Sequence, residues 1–211
     1  MIVAIEAAST DLSLALADPA GATVAEDAWP SSRRQSAELL PHLLALLDQH
    51  RTSVRRLSAI GVGSGPGSFT GLRVAMSLAK GLAVGLGRPI VTVPSLVSWL
   101  EADPDAELAV ARAGAREAYV QARDADGPLV VDRDALTQRL GGRGVVAPAE
   151  LADAFGIERA RSPRGAAAIA RAAALRLADD PAGDDPRTIE PMYLRAPRGV
   201  SAETKGEVRW L

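Results

Sequence analysis

Apolar and polar positions follow a readable order along the first hundred residues. Residues 2–6 (IVAIE) form a short apolar run, and Leu12, Leu14 and Leu16 alternate with small or polar neighbours. Asp18-Pro19-Ala20-Gly21 is a turn signal and Thr23–Glu26 follows it, which predicts three strands joined by tight hairpins. Pro30-Ser31-Ser32 interrupts the pattern. From Gln35 onward Leu39, Leu40, Leu43, Leu44 and Leu47 fall at helical spacing, predicting a helix over 35–48. Leu57–Val62 reads as a buried strand of the parallel type, followed by the loop GSGPGSFTG and a second helix over 70–86. An apolar strand at 89–93 and a third helix, capped by Ser95 and running to Leu100, complete the first part.

The predicted order β-β-β-α-β-α-β-α describes a mixed sheet with helices on its faces, an α/β fold. Ala102-Asp103-Pro104-Asp105 has the composition of a linker and divides the chain into parts 1–101 and 106–211. The second part carries weaker signals: strands at 107–111, 117–123 and 129–131, and short helices at 135–140 and 149–155. An alanine-rich helix at 165–177 places Ile169 and Ala173 on one side. Asp179–Pro186 reads as a solvated acidic loop and 191–195 as a last edge segment. Because the second part also opens β-β-β, a degenerate structural duplication is expected.

Composition narrows the function. The chain of 211 residues carries 24 Lys+Arg against 26 Asp+Glu, a net charge of 24 − 26 = −2. Neither part is a basic body built to hold nucleic acid on its own, and the scattered aromatics form no stacking platform. The absence of cysteine excludes thiolate chemistry and sulfur-ligated metals, and His42 and His50 are too few for a multi-histidine site. The start of the chain has no basic n-region and carries Glu6 and Asp11, and no run reaches the roughly 18 apolar residues of a membrane span. A soluble, cytoplasmic protein is expected.

The most informative stretch is Gly63–Arg73, GSGPGSFTGLR, between a buried strand and a helix. It lacks the glycine spacing and the lysine of a Walker A loop. Gly65, Gly67 and Gly71 are one residue too long for a dinucleotide fingerprint, and neither Ser64 nor Ser68 sits in a nucleophile elbow. Two readings remain: a rigid strand-to-helix turn with Ser68 or Thr70 as N-cap, or a contact for an anion or partner. The helix that follows is apolar nearly all round. Leu72, Ala75, Met76, Ala79, Leu82, Ala83 and Leu86 make one side; Val74, Leu78, Gly81 and Gly85 make most of the other. Either the protein's own sheet and first helix enclose it, or one side faces a partner; the small size of the chain favours the partner.

These residues resemble a known family. IEAASTDLSLAL is similar to its opening hairpin, SAELLP to its first-helix signature, and GSGPGSFTGLRVAMSLAKGLA to its most diagnostic segment. PIVTVPSL and PMYLR follow in the expected order. The family is TsaB (YeaZ), the bacterial partner protein in making threonylcarbamoyladenosine on transfer RNA. The resemblance implies an actin/Hsp70-like (ASKHA) fold of two related subdomains, the second reduced, with no chemistry of its own. It implies pairing with a metal-bearing paralogue, TsaD, which transfers the threonylcarbamoyl group to the adenosine next to the anticodon. A small ATPase, TsaE, would join that assembly, transfer RNA would be reached through the complex, and the isolated chain would form a homodimer.

The family pairs through its first two helices, here 35–48 and 70–86. Leu39, Leu43, Leu72, Arg73, Met76, Leu78, Ala79 and Leu82 are the expected contacts. Gly65, Gly67, Ser68, Thr70 and Gly71 would be structural or would touch an anion. Glu6 stands where the family carries Asp, Ala7 where Thr is usual, Gln35 where His is frequent, and Arg112 where Asp is common. These departures remove groups that support metal or phosphate chemistry, so no catalytic or metal-ligating residue is assigned; ATP or ADP would sit at most at a subunit joint. The competing readings are an autonomous actin-like ATPase or kinase, and a peptidase using Ser68 with His42.

Overall fold

The computed structural model describes residues 1–194. Its first sheet contains β1 (Ile2–Glu6), β2 (Asp11–Ala17), β3 (Thr23–Pro30), β4 (Ala59–Gly63) and β5 (Ile90–Val93), in the order β3-β2-β1-β4-β5. The first three strands are antiparallel hairpins, whereas β4 and β5 run parallel to β1. The Asp18 turn closes as its sequence demands: the Asp18 carboxylate accepts from the N–H groups of Ala20 and Ala22, both at 2.9 Å, and Gly21 takes a left-handed φ of 88°.

The second sheet holds β6 (Leu108–Arg112), β7 (Glu117–Ala122), β8 (Leu129–Asp132) and β9 (Val145–Val146), ordered β8-β7-β6-β9. Two antiparallel hairpins followed by a parallel strand on the far side of the first one reproduce the β3-β2-β1-β4 arrangement. The duplication is therefore structural, with the second copy shorter. Two related mixed sheets with helices on their faces are the actin/Hsp70-like fold.

Alternation along the strands sorts the first sheet into two faces. Val3, Ile5, Leu12, Leu14, Leu16, Ile60 and Val62 pack under α1 (Gln35–Gln49) and α2 (Phe69–Leu86). Ile2, Ala4, Ala15, Ala17 and Ala59 pack under α6 (Ala166–Asp179), whose own contact residues are Ala166, Ile169, Ala170, Ala173 and Ala174. Small residues on both sides let this helix lie close to the sheet. A Cβ added at Gly61 would press on Ile169. α6 thus returns from the end of the second sheet to cover the first.

In the second lobe α4 (Arg133–Leu140) and α5 (Ala149–Phe155) cover one face, and Asp132 caps α4 by accepting from the Ala135 N–H at 2.9 Å. α3 (Ser95–Ala102) joins the lobes. Its Trp99 is fully buried among Leu72 of the first lobe and Ala109, Ala111, Tyr119 and Val146 of the second.

Several local expectations change. β4 begins at Ala59, because Val54–Arg56 forms a short 3-10 turn that uses Leu57 as its exit. Ser95 does not cap α3; its hydroxyl accepts from the Gly65 N–H at 3.0 Å. The acidic loop is tied down at Asp184, which accepts from the Thr92 N–H at 2.7 Å and the Thr92 hydroxyl at 2.8 Å and pairs with Arg176. Those donors hold the Asp184 carboxyl below its ordinary range despite partial burial, which pushes it up. Residues 191–194 form no strand, although the Met192 N–H donates to the Ser64 carbonyl at 2.7 Å; Arg195 lies outside the described residues.

α1 ends in a Schellman motif, with the Thr52 N–H on the Leu47 carbonyl and the Arg51 N–H on the Asp48 carbonyl, both 2.9 Å. The left-handed position is Arg51 at φ 50°, a conformation that costs an L-residue about 1–2 kcal/mol; α2, α4 and α5 use Gly87, Gly141 and Gly156 there.

Helix α6 gives a direct test of this packing. Ala173→Leu, at a fully buried site, should lower unfolding free energy by about 1–3 kcal/mol through overpacking. Leu175→Ala, on the 64% exposed side, should stay within about 0.5 kcal/mol, with urea titration as the readout.

Candidate functional site

Two regions compete as the functional site: the cleft around the glycine turn, and the outer face of the helices it launches. The cleft encloses about 460 Å³ between the lobes. Its walls are the β1–β2 turn (Ala8–Thr10), the glycine turn (Gly67–Thr70), the β6–β7 turn (Arg112–Gly114), the start of α5 and Tyr193. The Tyr193 ring lies 5.3 Å from Phe69, and the Arg73 guanidinium sits 5.2 Å over that same Phe69 ring.

Much of the glycine turn is already occupied by the protein itself. The Ser68 N–H donates to the Ala8 carbonyl at 2.6 Å and the Ser64 N–H to the Val93 carbonyl at 2.8 Å, while the Gly65 N–H is held by Ser95. Ser68 is the N-cap of α2, its hydroxyl accepting from the Gly71 N–H at 3.2 Å; Thr70 lies exposed in the first turn. A Cβ at Gly67 or Gly71 would collide with the Ala8 or the Ala7 carbonyl oxygen, and Gly65 takes a φ of 94°. The glycines therefore allow the close approach of two backbones, which supports the structural reading of Gly65, Gly67 and Gly71.

Glu6 lies at the base of this junction, 1% exposed, against Gly63, with its Oε1 accepting from the Ala8 N–H at 2.6 Å. Its Oε2 has no hydrogen-bond partner among the described residues. Burial pushes its carboxyl up from 4.5 to about 7, only partly offset by the Ala8 N–H. A carboxyl that is substantially protonated near neutrality is a poor ligand for magnesium. Arg112 stands exposed at the cleft wall, where a second acid would be needed. These residues do not fit a magnesium–nucleotide.

His42 is held away from this chemistry as well. Its ring stacks on Trp29 at 3.7 Å, and its Nδ1 is 2.6 Å from the Asp27 carboxylate. With Ser68 serving as a helix cap, the pair Ser68 and His42 is not assembled as a catalytic unit.

The helical face differs from expectation in which residues it shows. Leu39 and Leu43 of α1, and Leu72, Met76 and Ala79 of α2, are buried in the chain's own core, which corrects them as partner contacts. The reason is rotational: both helices turn those positions onto the sheet. Of the expected set, Arg73 is exposed, and Leu78 and Leu82 are half-buried along the core's margin. Outward instead point Leu40 (43% exposed), Leu44 (48%) and Val84 (69%). Ala37, Pro41 and Ala45 share the outer side of α1. Gly81 and Gly85 share that of α2, where a Cβ at either position would meet nothing within 4 Å. Their signal was present: leucines at 39, 40, 43 and 44 span an arc too wide for one sheet to cover. α2 is long and apolar enough by composition to cross a membrane, but it packs on β4 and the sheet by one face.

A family model described as "TsaD: tRNA N6-adenosine threonylcarbamoyltransferase" matches residues 29–162, well over half of the chain. TsaB of Escherichia coli is 32% identical over 100 residues, 47% of this chain and 42% of that protein. The chain belongs to the TsaB/YeaZ family. The matched segment spans less than half of the E. coli relative. An uncharacterized protein of Mycobacterium tuberculosis is 32% identical over 174 residues, 79% of this chain and 77% of its own length. In fold the chain is similar to YeaZ from Pseudomonas aeruginosa, with a TM-score of 0.71 at 22% identity, covering 92% of this chain and 99% of that one.

Two measurements follow from this geometry. Gly67→Ala should lose about 1–3 kcal/mol of stability, because the obstructing atom is a backbone carbonyl that cannot move aside. Glu6 should make stability depend on pH. Its folded value lies above its unfolded one, so its contribution is complete below about 4.5 and is lost as pH rises through about 7. Thermal midpoints should fall between pH 5 and 8 in the wild type (about 3 kcal/mol at most) and stay nearly level over that window in Glu6→Gln.

Proposed function

We propose that this chain is a non-catalytic subunit of the machinery that makes threonylcarbamoyladenosine on transfer RNA, pairing with a TsaD-like transferase and required for its activity. Membership of the TsaB/YeaZ family supports the pathway. The single observation that carries the pairing is the unburied apolar face formed by Leu40, Leu44 and Val84 beside the bare backbone of Gly81 and Gly85. The occupied glycine turn and the buried Glu6, whose carboxyl is pushed up to about 7, support a role without phosphoryl transfer of its own.

Magnitudes set the extent of this face. Fully burying a leucine or valine stabilises by about 1.5–3 kcal/mol, and these three are already partly covered, so together they supply about 3 kcal/mol. Association costs at least about 4 kcal/mol in lost freedom. The docked surface therefore includes the neighbouring small residues, where the two glycines let a partner helix approach closely. A paralogous chain presenting the same two helices would give a four-helix contact. A second copy of this chain would satisfy the same face when the paralogue is missing, and a TsaE-like ATPase and transfer RNA would join through the complex, in the cytoplasm.

Leu44→Arg and Val84→Arg test this reading. Each should abolish co-purification with the TsaD-like protein and return the isolated chain to monomer mass by light scattering, with thermal midpoints within a few degrees of wild type. Met76→Glu should instead unfold the chain, since that side chain is 3% exposed. Retained association in both arginine variants would refute the assignment.

A further inference from the structure

The lobes are joined twice, through residues 103–107 between α3 and β6 and through 156–165 between α5 and α6. A joint that bends does so at a few residues whose φ and ψ are free to change. Here the backbone of both crossings is tied. In the first, the Asp103 N–H donates to the Leu100 carbonyl at 3.2 Å, the Ala106 N–H to the Asp103 carbonyl at 3.0 Å, and the Glu107 N–H to the Gly144 carbonyl at 2.8 Å. In the second, the Arg161 N–H donates to the Val145 carbonyl at 2.9 Å, and the Ala147 N–H to the Arg161 carbonyl at 3.0 Å. Arg161 thus forms a parallel bridge beside β9.

Two arginine side chains bind the crossings together. Arg123 follows directly on β7, its own N–H on the Glu107 carbonyl at 3.0 Å. Its guanidinium donates to three carbonyls: Leu100 at 2.6 Å, Asp103 at 2.8 Å and Ala106 at 3.0 Å. A cation there also meets the negative end of the α3 dipole, and α3 has no basic residue in its own last turn. Arg161 of the second crossing pairs with the carboxylates of Asp103 and Asp105 in the first. Gly165, at the end of the second crossing, lies so close to α3 that a Cβ would press on the Ser98 hydroxyl and the Trp99 ring. Trp99 is the largest fully buried side chain among the described residues, and it packs against both lobes. Turning one lobe on the other would break charge-assisted bonds and repack that indole together.

We infer that this joint is a lock: Arg123 and Arg161 hold the lobes at one opening. The width of the cleft is then set by the joint and not by what enters the cleft, and the chain meets a partner as one rigid body. Arg123 is a positioning residue, because it lines none of the cleft and acts through the end of α3. The lock uses no residue of the pairing face, so it holds whichever partner the outer helices take.

The chain has no cysteine, so two can be introduced for labelling without interference. Thr70→Cys on the first lobe and Asp153→Cys on the second, both exposed, would carry spin labels on the full chain. The interlobe distance is read by double electron–electron resonance, with unlabelled chain added so that only distances within one molecule count. The labelled chain should give one narrow distribution. Adding Arg123→Ala should broaden it or add a second distance, and hydrogen-exchange protection of the Asp103 and Ala106 N–H groups should fall by about tenfold or more. Arg123→Lys keeps the charge but not the fork, and should lie between the two. Arg143→Ala removes an exposed pair with Glu107 at the same joint and should leave both readings unchanged. A broad or two-peaked distribution before any arginine is changed overturns the lock. So does an unchanged distribution when Arg123→Ala is combined with Arg161→Ala, or an equal change in Arg143→Ala. If Arg123→Ala does not fold, Arg123→Lys decides: readings equal to those of the parent chain overturn the lock. Failure of the pairing reading would appear instead as lost association with the interlobe distance still narrow.

Discussion

The contact between the glycine turn and the β1–β2 turn determines how the rest of the molecule is used. Ala7 and Ala8 carbonyls approach so closely that neither position 67 nor position 71 can carry a side chain, and the Ser68 N–H closes the contact on Ala8. That bond fixes where α2 starts and how it is rotated. With Ser68 capping and Gly71 against Ala7, Leu72, Ala75, Met76, Ala79 and Ala83 point into the core, and the 81–84–85 side points out. One backbone contact therefore both turns the helix and uses donors that an anion would require.

Electrostatics at the junction agree with that division. A carboxyl at position 6 could be kept ionised only by water, a metal or strong donors, and the Ala8 N–H on one oxygen, with lesser help from Ser95 and the Ala7 N–H, does not suffice. Desolvation outweighs those donors and pushes the carboxyl up to about 7. Asp184 is the opposite case within the same lobe. Three donor groups from Thr92 and Arg176 converge on it, and its carboxyl is held low although it is partly buried. Depth and a cationic partner separate the two acids: Glu6 is fully enclosed with no cation beside it, whereas Asp184 is only partly buried and pairs with Arg176.

Most of the fold was legible because its signals are local. Strand alternation, the Asp18 turn, the capped helices and the repeated β-β-β opening each depend on residues close in sequence, and they survive nearly unchanged. What was not legible is rotational or long-range. A helix with leucines at 39, 40, 43 and 44 has an apolar arc whose width can be read but whose inward direction cannot, since that is set by where the sheet lies. Hence Leu39 and Leu43 were expected outside and are inside, while Leu40 and Leu44 are exposed. Ser95 looked like a cap because it precedes a helix; its actual partner, Gly65, is 30 residues away. Asp184 looked solvated because its run is acidic, and only the fold brings Thr92 and Arg176 to it.

The cleft end and the helical side of the first lobe carry different physics, and that separation bears on how such a chain could serve an assembly. At the cleft end the backbone of the glycine turn is tightly packed against Ala7 and Ala8, which suits a rigid mount. Along α1 and α2 the surface is apolar and small, where desolvation is cheap and close approach is possible. A subunit that fixes a partner needs both a rigid mount and an apolar docking side, and here α2 joins them: its first turn is held against Ala7 and Ala8, and its far side carries Gly81, Val84 and Gly85 outward.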